Sequence, residues 1–379
     1  MTPAPGIISP LAVDLLALLF PEMAALGRAL WDALAREDPG FLEELRREGL
    51  TPFLYQELRH QGREGSVAPA FLQELRQDYA WSLKVAARQD REIFRVLRAL
   101  TGAGVEVILL KGVDWRLRLY GDLAQRPMTD LDLLIDKGQL PQTREALARL
   151  NYRVMRQFAE PRPGHRERFE NELGFAPDPD RGLLLDLHWE VRAAAGFYRL
   201  PYPPLRDQGV SGDYQGVPVK FLAPAHALIH LCLHAFGDRF ETGREAYDAR
   251  QILDLALALS RLAPDWTYFL AEVSRFQCQA PVYQVLRELG RLLPFLVPRA
   301  VLTFLADYRP PLTERLLLSR RLGQGTNYLA ICQYHPPRDW LRYLAAKLWP
   351  DRRYLAACFG RAGRAAYLKQ FLHKLHQQT

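Results

Sequence analysis

The sequence predicts an α+β chain, a small mixed sheet flanked by N-terminal helices and an all-helical C-terminal domain. Two observations carry this expectation. Apolar runs that are β-branched or alternate with polar residues cluster between residues 105 and 222. Before residue 104 and after residue 223, apolar residues instead recur at threes and fours. The expected units are 1–104, 105–222 and 223–379, and 379 residues accommodate two or three domains.

Taken in order, Leu11 to Phe20, Met23 to Arg36 and Gly40 to Arg47 show helical spacing, with Pro and Gly as punctuation. Gln61 to Ser66 is a polar break. Ala68 to Leu100 reads as one long amphipathic helix stopped by Thr101-Gly-Ala-Gly104, and it is expected to pack against the sheet. Val105 to Leu110 is an apolar run that reads as a buried strand ending at Lys111-Gly112. A short helix, Val113 to Tyr120, and a polar turn, Gly121 to Thr129, lead to a second strand, Asp130 to Asp136. Strand side chains alternate faces, so Asp130 and Asp132 point one way while Leu131, Leu133 and Ile135 enter a core.

Gln139 to Leu150 reads as a helix with Pro141 in its first turn, and Tyr152 to Phe158 as a strand. Ala159 to Arg166 is a loop, Leu173 to Ala176 a strand, and Pro177 to Gly182 a turn. Leu183 to Val191 alternates again, with Asp186, His188 and Glu190 on one face and Leu185, Leu187, Trp189 and Val191 on the other. Val210 to Leu222 reads as a hairpin with turn signals at Ser211-Gly-Asp and Gln215-Gly. Helical spacing then returns in Ala225 to Phe236, Ala246 to Ser260, Trp266 to Phe276, Ala280 to Leu292, Arg299 to Leu305 and Ala365 to Leu375.

Composition narrows the class. Hydrophobic residues at 49% and charged residues at 25% are ordinary for a soluble globular protein. No apolar run reaches membrane-spanning length, so no membrane partner is expected. Leu11 to Phe20 is interrupted by Asp14 and lacks a basic leader, so no signal peptide is expected either. Four cysteines without paired spacing fit neither a zinc ribbon nor a disulfide framework, and suit a reducing cytoplasm. A net charge of +7 is compatible with polyanion binding.

Two like charges side by side on one sheet face repel each other. A divalent cation relieves that repulsion, and Mg²⁺ takes one or two carboxylates together with substrate phosphate oxygens. Asp130 and Asp132 are therefore candidate ligands for Mg²⁺ or Mn²⁺.

Residues 105–136 resemble the nucleotidyltransferase superfamily, the fold of polymerase-β-like enzymes, whose pattern is strand, glycine turn, short helix and a strand carrying Asp-x-Asp. Gly112 matches the turn, and Asp130 and Asp132 match the pair. Lys-Gly at the turn, Tyr120-Gly121 after the helix and Arg126-Pro-Met-Thr-Asp-Leu-Asp-Leu-Leu-Ile are similar to a bacterial subfamily of uncharacterised nucleotidyltransferases. The superfamily usually places a triphosphate-binding serine after the turn glycine; here Val113 follows Gly112 and Lys111 precedes it. The resemblance is strongest over residues 105–190 and looser in the helices after residue 224.

It implies a nucleotidyltransferase-type sheet that moves a nucleoside monophosphate from an NTP, often ATP, to a hydroxyl-bearing acceptor with release of pyrophosphate. The acceptor stays open among a small molecule, a protein and an RNA end, and nucleic acid is not favoured. The base preference and the oligomeric state are open too. Asp130, Asp132 and a third carboxylate would hold the metal, with Asp186 the candidate third ligand and Glu190 its competitor. Lys111, Gly112, Arg126 and His188 are candidates for the nucleotide site. Lys111 and Arg126 would meet phosphate, or else pair with Asp130, Asp132 or Asp122. His188 suits ligation or a hydrogen bond to Asp186, and the hydrogen bond is favoured.

Two other features carry chemistry. His226, His230 and His234 stand one turn apart, a spacing zinc sites use, but no acidic residue lies between them. They are expected to line a cleft without zinc; a hydrolytic zinc enzyme is the weaker alternative, and Asp254 would be a structural or cleft partner. Arg315–Arg321 and Arg352–Arg364 are basic runs, the second with Tyr354 and Phe359, readable as a phosphate-binding face or, more often, as solvated helix. The competing class throughout is a catalytically idle nucleotide-binding or protein-interaction module on the same fold.

Overall fold

Helices open the chain: α1 (Pro10–Leu19), α2 (Arg28–Arg36), α3 (Pro39–Glu48), α4 (Thr51–His60) and the long α5 (Pro69–Gly102). Ser9 and Asp38 cap α1 and α3 by accepting from backbone N–H groups of the first turn. The computed structural model describes residues 8–178, 182–194, 196–319, 326–359, 363–367 and 369.

The mixed segment follows as β1 (Ile108–Leu109), α6 (Lys111–Arg118), β2 (Asp130–Leu134), α7 (Leu140–Arg149), β3 (Tyr152–Val154), α8 (His165–Phe169), β4 (Glu172–Pro177) and β5 (Leu184–His188). Then come β6 (Glu190–Ala193), β7 (Tyr198–Pro201), α9 (Tyr202–Asp207), β8 (Val210–Tyr214) and β9 (Val217–Phe221). The rest is helical: α10 (Pro224–Thr242), α11 (Ala249–Leu262), α12 (Trp266–Arg275), α13 (Gln279–Leu292), α14 (Arg299–Ala306), α15 (Leu312–Leu318), α16 (Thr326–Tyr334), α17 (Pro337–Leu348) and α18 (Arg352–Phe359). Among the described residues no helix is long and apolar enough to cross a membrane.

Seven strands form one mixed sheet in the order β3-β4-β5-β2-β1-β9-β8. β2 pairs antiparallel with β1 and parallel with β5, and β1 pairs parallel with β9. The small mixed sheet between helical flanks is the expected α+β class.

One sheet face is apolar throughout. Leu109, Leu131, Leu133, Leu173, Leu185 and Leu187 pack there against Ile93, Val96, Leu97 and Leu100 of α5 and Leu140 and Leu147 of α7. This is the packing expected for the long helix. The other face divides: Ile108 and Leu134 join the core that contains α10, while the strand stretches beside them carry the charged residues. The N-terminal helices share that core, so Leu15 and Leu16 of α1 belong to the same apolar cluster as Ile252 and Leu255 of α11.

Three expectations about strands and turns change. The alternating run Leu183 to Val191 is not one strand: β5 ends at His188, and β6 belongs to a separate two-stranded sheet with β7. Trp189 marks the exit, its backbone N–H donating to the Asn171 carbonyl and its indole N–H to that of Glu170. Only Tyr152–Val154 of the expected 152–158 strand is extended, because a 3₁₀ turn, Arg156–Phe158, follows. Ser211-Gly-Asp lies inside β8, and Gln215 and Gly216, both at positive φ, make the hairpin turn. Residues 179–181 of the expected turn, Arg320, Arg321 and Arg361 of the basic runs, and all but 365–367 and 369 of the last amphipathic stretch lie outside the described residues.

Candidate active site

β2 and β5 run parallel with Asp132 opposite Asp186, Asp130 opposite Leu184 and Leu134 opposite His188. Alternation therefore raises Asp130, Asp132, Asp186 and His188 from one face, away from the α5 side. On the far side of β5, antiparallel β4 sets Glu172 opposite His188 and Gly174 opposite Asp186. Met155 and Phe158 fill the room above Gly174: a methyl group built there would lie 2.3 Å from a carbon of each. The turn 156–158 thus folds down beside Asp186.

The charged groups form a chain. Lys111 Nζ donates to Asp132 Oδ1 at 2.7 Å, and His188 Nε2 meets the same oxygen at 2.9 Å. The other ring nitrogen of His188, Nδ1, lies 3.1 Å from Glu172 Oε2. Burial alone would raise Asp132, but Lys111 and His188 outweigh it and hold the carboxyl well below the usual range. Burial would lower His188, yet its bonds to Asp132 and Glu172 raise it to about 9, so at neutral pH it carries a proton on each nitrogen.

The remaining two carboxylates are in the opposite condition. Asp186 is raised to about 6 by burial and then by the Asp132 charge. Asp130 is raised for the same two reasons, and its one side-chain hydrogen bond is a 3.3 Å contact from the Thr129 hydroxyl. Among the described residues neither has an ion-pair partner.

A strand, a Lys-Gly turn, a helix and a carboxylate strand whose partner strand carries the third carboxylate make a specific combination. The family model described as uncharacterised nucleotidyltransferase matches residues 35–294 of the chain. The chain belongs to that nucleotidyltransferase family. No curated protein and no solved structure matches it.

A divalent cation is the group such nucleotidyltransferases imply, and the donor chemistry here suits one: three carboxylates on one face, two of them raised by burial and then by the Asp132 charge. Among the described residues no group of three His, Cys, Asp or Glu side chains stands ready to hold a metal by itself. Mg²⁺ does not demand a complete protein cage, because phosphate oxygens and water fill its shell.

Glu190, the competing third ligand, is placed elsewhere. It begins β6, off the main sheet, and its carboxylate accepts from Arg192 Nε at 2.5 Å with Arg199 beyond. Its expected place on the Asp186 face is therefore corrected: the chain leaves the sheet at Trp189 before Glu190 is reached.

Arg126 is also engaged away from the carboxylates. Its guanidinium forks onto Asp254 of α11, with Nη2–Oδ2 at 2.8 Å and Nε–Oδ1 at 3.0 Å, and its third nitrogen donates to the Pro127 carbonyl. The Tyr120 hydroxyl donates to Asp254 at 2.6 Å. This buried triad ties the turn before β2 to the helical part, and it takes up the fork that was expected to meet triphosphate. Gly112 lies in the first turn of α6, where an added methyl would come within 3.1 Å of Met128.

The three histidines do not act as one set. His226 is fully buried against Glu272, at 2.8 Å, and Tyr268. His230 and His234 instead line a cavity of about 280 Å³ with Lys111, Glu172, His188 and Asp238. His230 is 3% exposed and its Nδ1 has no partner among the described residues. Burial and then the Lys111 charge push it well below the ordinary histidine range, so it is neutral. Glu172 had not been expected at the site; its signal is the strand alternation, which puts the residue before Leu173 on the carboxylate face.

Proposed function

We propose that the chain transfers a nucleoside monophosphate from an NTP to a hydroxyl-bearing acceptor, with Mg²⁺ or Mn²⁺ and with release of pyrophosphate. One observation carries this reading: Asp132 and Asp186 face each other across adjacent parallel strands, two residues from Asp130, on the face turned away from the α5 core. A bound divalent cation would neutralise phosphate charge and align the attacking and leaving oxygens. Asp130, Asp132 and Asp186 would hold it.

The chain's own residues do the rest. Lys111 and the backbone N–H groups at the start of α6, which the N-cap side chain leaves uncapped among the described residues, supply positive charge for the triphosphate, in place of the usual serine. His188 fixes the orientation of Asp132, and Glu172 fixes His188. In phosphoryl-type chemistry such positioning and charge neutralisation supply most of the rate.

A second reading, nucleotide binding without transfer, is favoured by one feature: Val113 stands where a serine would hold triphosphate. Incubation with α-labelled NTPs, Mg²⁺ and a panel of hydroxyl compounds, proteins and RNA separates the two. Transfer adds a nucleoside monophosphate mass to an acceptor and releases pyrophosphate. NTP binding with no pyrophosphate from any combination would favour the second reading.

A further inference from the structure

Lys111 occupies a backbone conformation that lysine rarely adopts. Its φ is +45°, in the left-handed region, at the junction of β1 and α6. A side chain there is strained, whereas glycine would make the same turn without strain. The turn alone does not call for a lysine; the ammonium does.

That ammonium is one of two cations on a single oxygen. Asp132 Oδ1 receives both Lys111 Nζ and His188 Nε2, while Oδ2 has no partner among the described residues. His188 is sealed in, with 6% of its side chain exposed, and is braced by Glu172. Lys111 is 28% exposed and lines the cavity it shares with Glu172, His188, His230 and His234. His188 is thus the fixed partner of Asp132, and Lys111 is the one that reaches open space.

We propose that Lys111 makes divalent-cation binding conditional on the nucleotide. Without NTP its positive charge sits on the central carboxylate and repels an incoming cation. A triphosphate supplies negative charge to Lys111 and oxygen ligands to the metal together, so each ligand strengthens the other. Cation and nucleotide then enter as a pair, and the three carboxylates do not hold a metal on their own. The inference rests on the nucleotidyl-transfer reading and adds to it the order imposed by one residue.

The test is calorimetric titration with Mn²⁺, alone and with an α,β-methylene analogue of ATP that cannot react. Wild type should bind Mn²⁺ at least tenfold tighter with the analogue than without it. Lys111→Met removes the charge but keeps the length, and Lys111→Gly removes the charge and relaxes the backbone, so one of the two remains usable if the other folds poorly. Each should bind Mn²⁺ alone at least tenfold tighter than wild type, with the enhancement by the analogue reduced. Lys111→Arg, which keeps the charge, should retain the wild-type pattern. Unchanged or weaker Mn²⁺ binding by the charge-removing variants would overturn the role of Lys111 while leaving the nucleotidyl-transfer reading in place. Wild type that binds no Mn²⁺ even with the analogue would overturn both.

Discussion

Asp132 and Asp186 are direct register partners on neighbouring parallel strands, yet one carboxyl lies far below its ordinary range and the other is raised to about 6. The difference is in their partners. Asp132 carries Lys111 and His188, whereas Asp186 faces the negative charges of Asp132, Glu172 and Asp130 without an ion-pair partner among the described residues.

Matched amide substitutions should therefore have opposite effects. Asp132→Asn leaves Lys111 and His188 without their anion and should destabilise the metal-free protein by about 3 kcal/mol, the scale for breaking a buried pair. Asp186→Asn removes an unfavourable charge and should stabilise it by about 1–2 kcal/mol at pH 7.5, after allowance for solvent screening. Urea unfolding of both variants checks the signs; two losses of similar size would refute the assignment.

The pH profile separates two limbs. The folded-state value of Asp186, near 6, lies above 3.8, so ionising it costs more in the folded protein and stability falls as pH rises from about 4 to 6. The folded-state value of His188, near 9, lies above 6.5, so its contribution is complete below 6.5 and is lost as pH rises through 9. His188→Gln should flatten the limb between 6.5 and 9 and leave the lower limb in place. Unfolding midpoints at pH 5, 6.5 and 9 measure both.

Arg126 should matter to stability before it matters to phosphate. Arg126→Met leaves Asp254, buried to 2% exposure, without its cation and should cost about 3–5 kcal/mol. A stable Arg126→Met protein with weakened NTP binding would restore a direct phosphate contact.

His230 holds a buried nitrogen with no partner among the described residues, and such a group costs about 1–3 kcal/mol. His230→Phe should therefore raise the thermal midpoint. A fall would show that the imidazole is bound within the fold.

Much of this site was legible because alternation acts over a few residues. Asp130, Asp132, Asp186 and His188 share a face for reasons contained in two short segments, and the family pattern runs through the same residues. What was not legible depends on distant chain. The fork of Arg126 closes on a residue 128 positions away. The run Leu183 to Val191 keeps alternating through Glu190, and only Asn171 and Glu170, on another part of the chain, show where it leaves the sheet. His188 was expected to bond Asp186, its neighbour in sequence, but bonds Asp132 across the strands instead. Helices α4 and α15–α18 lie in the segments expected to be helical, though their individual bounds were not drawn, and the left-handed backbone of Lys111 has no sequence signal, since lysine seldom takes that conformation.

These carboxylates are proposed to bind nucleotide through a divalent cation. Titration of the unreactive ATP analogue into wild type and Asp130→Asn, each with and without Mg²⁺, tests it most directly. Asp130 carries no ion pair among the described residues, so its loss leaves the fold intact. Wild type should bind the analogue in a Mg²⁺-dependent manner, and Asp130→Asn should lose that binding by tenfold or more. Binding of equal strength in the absence of Mg²⁺, or unchanged in the variant, would contradict it.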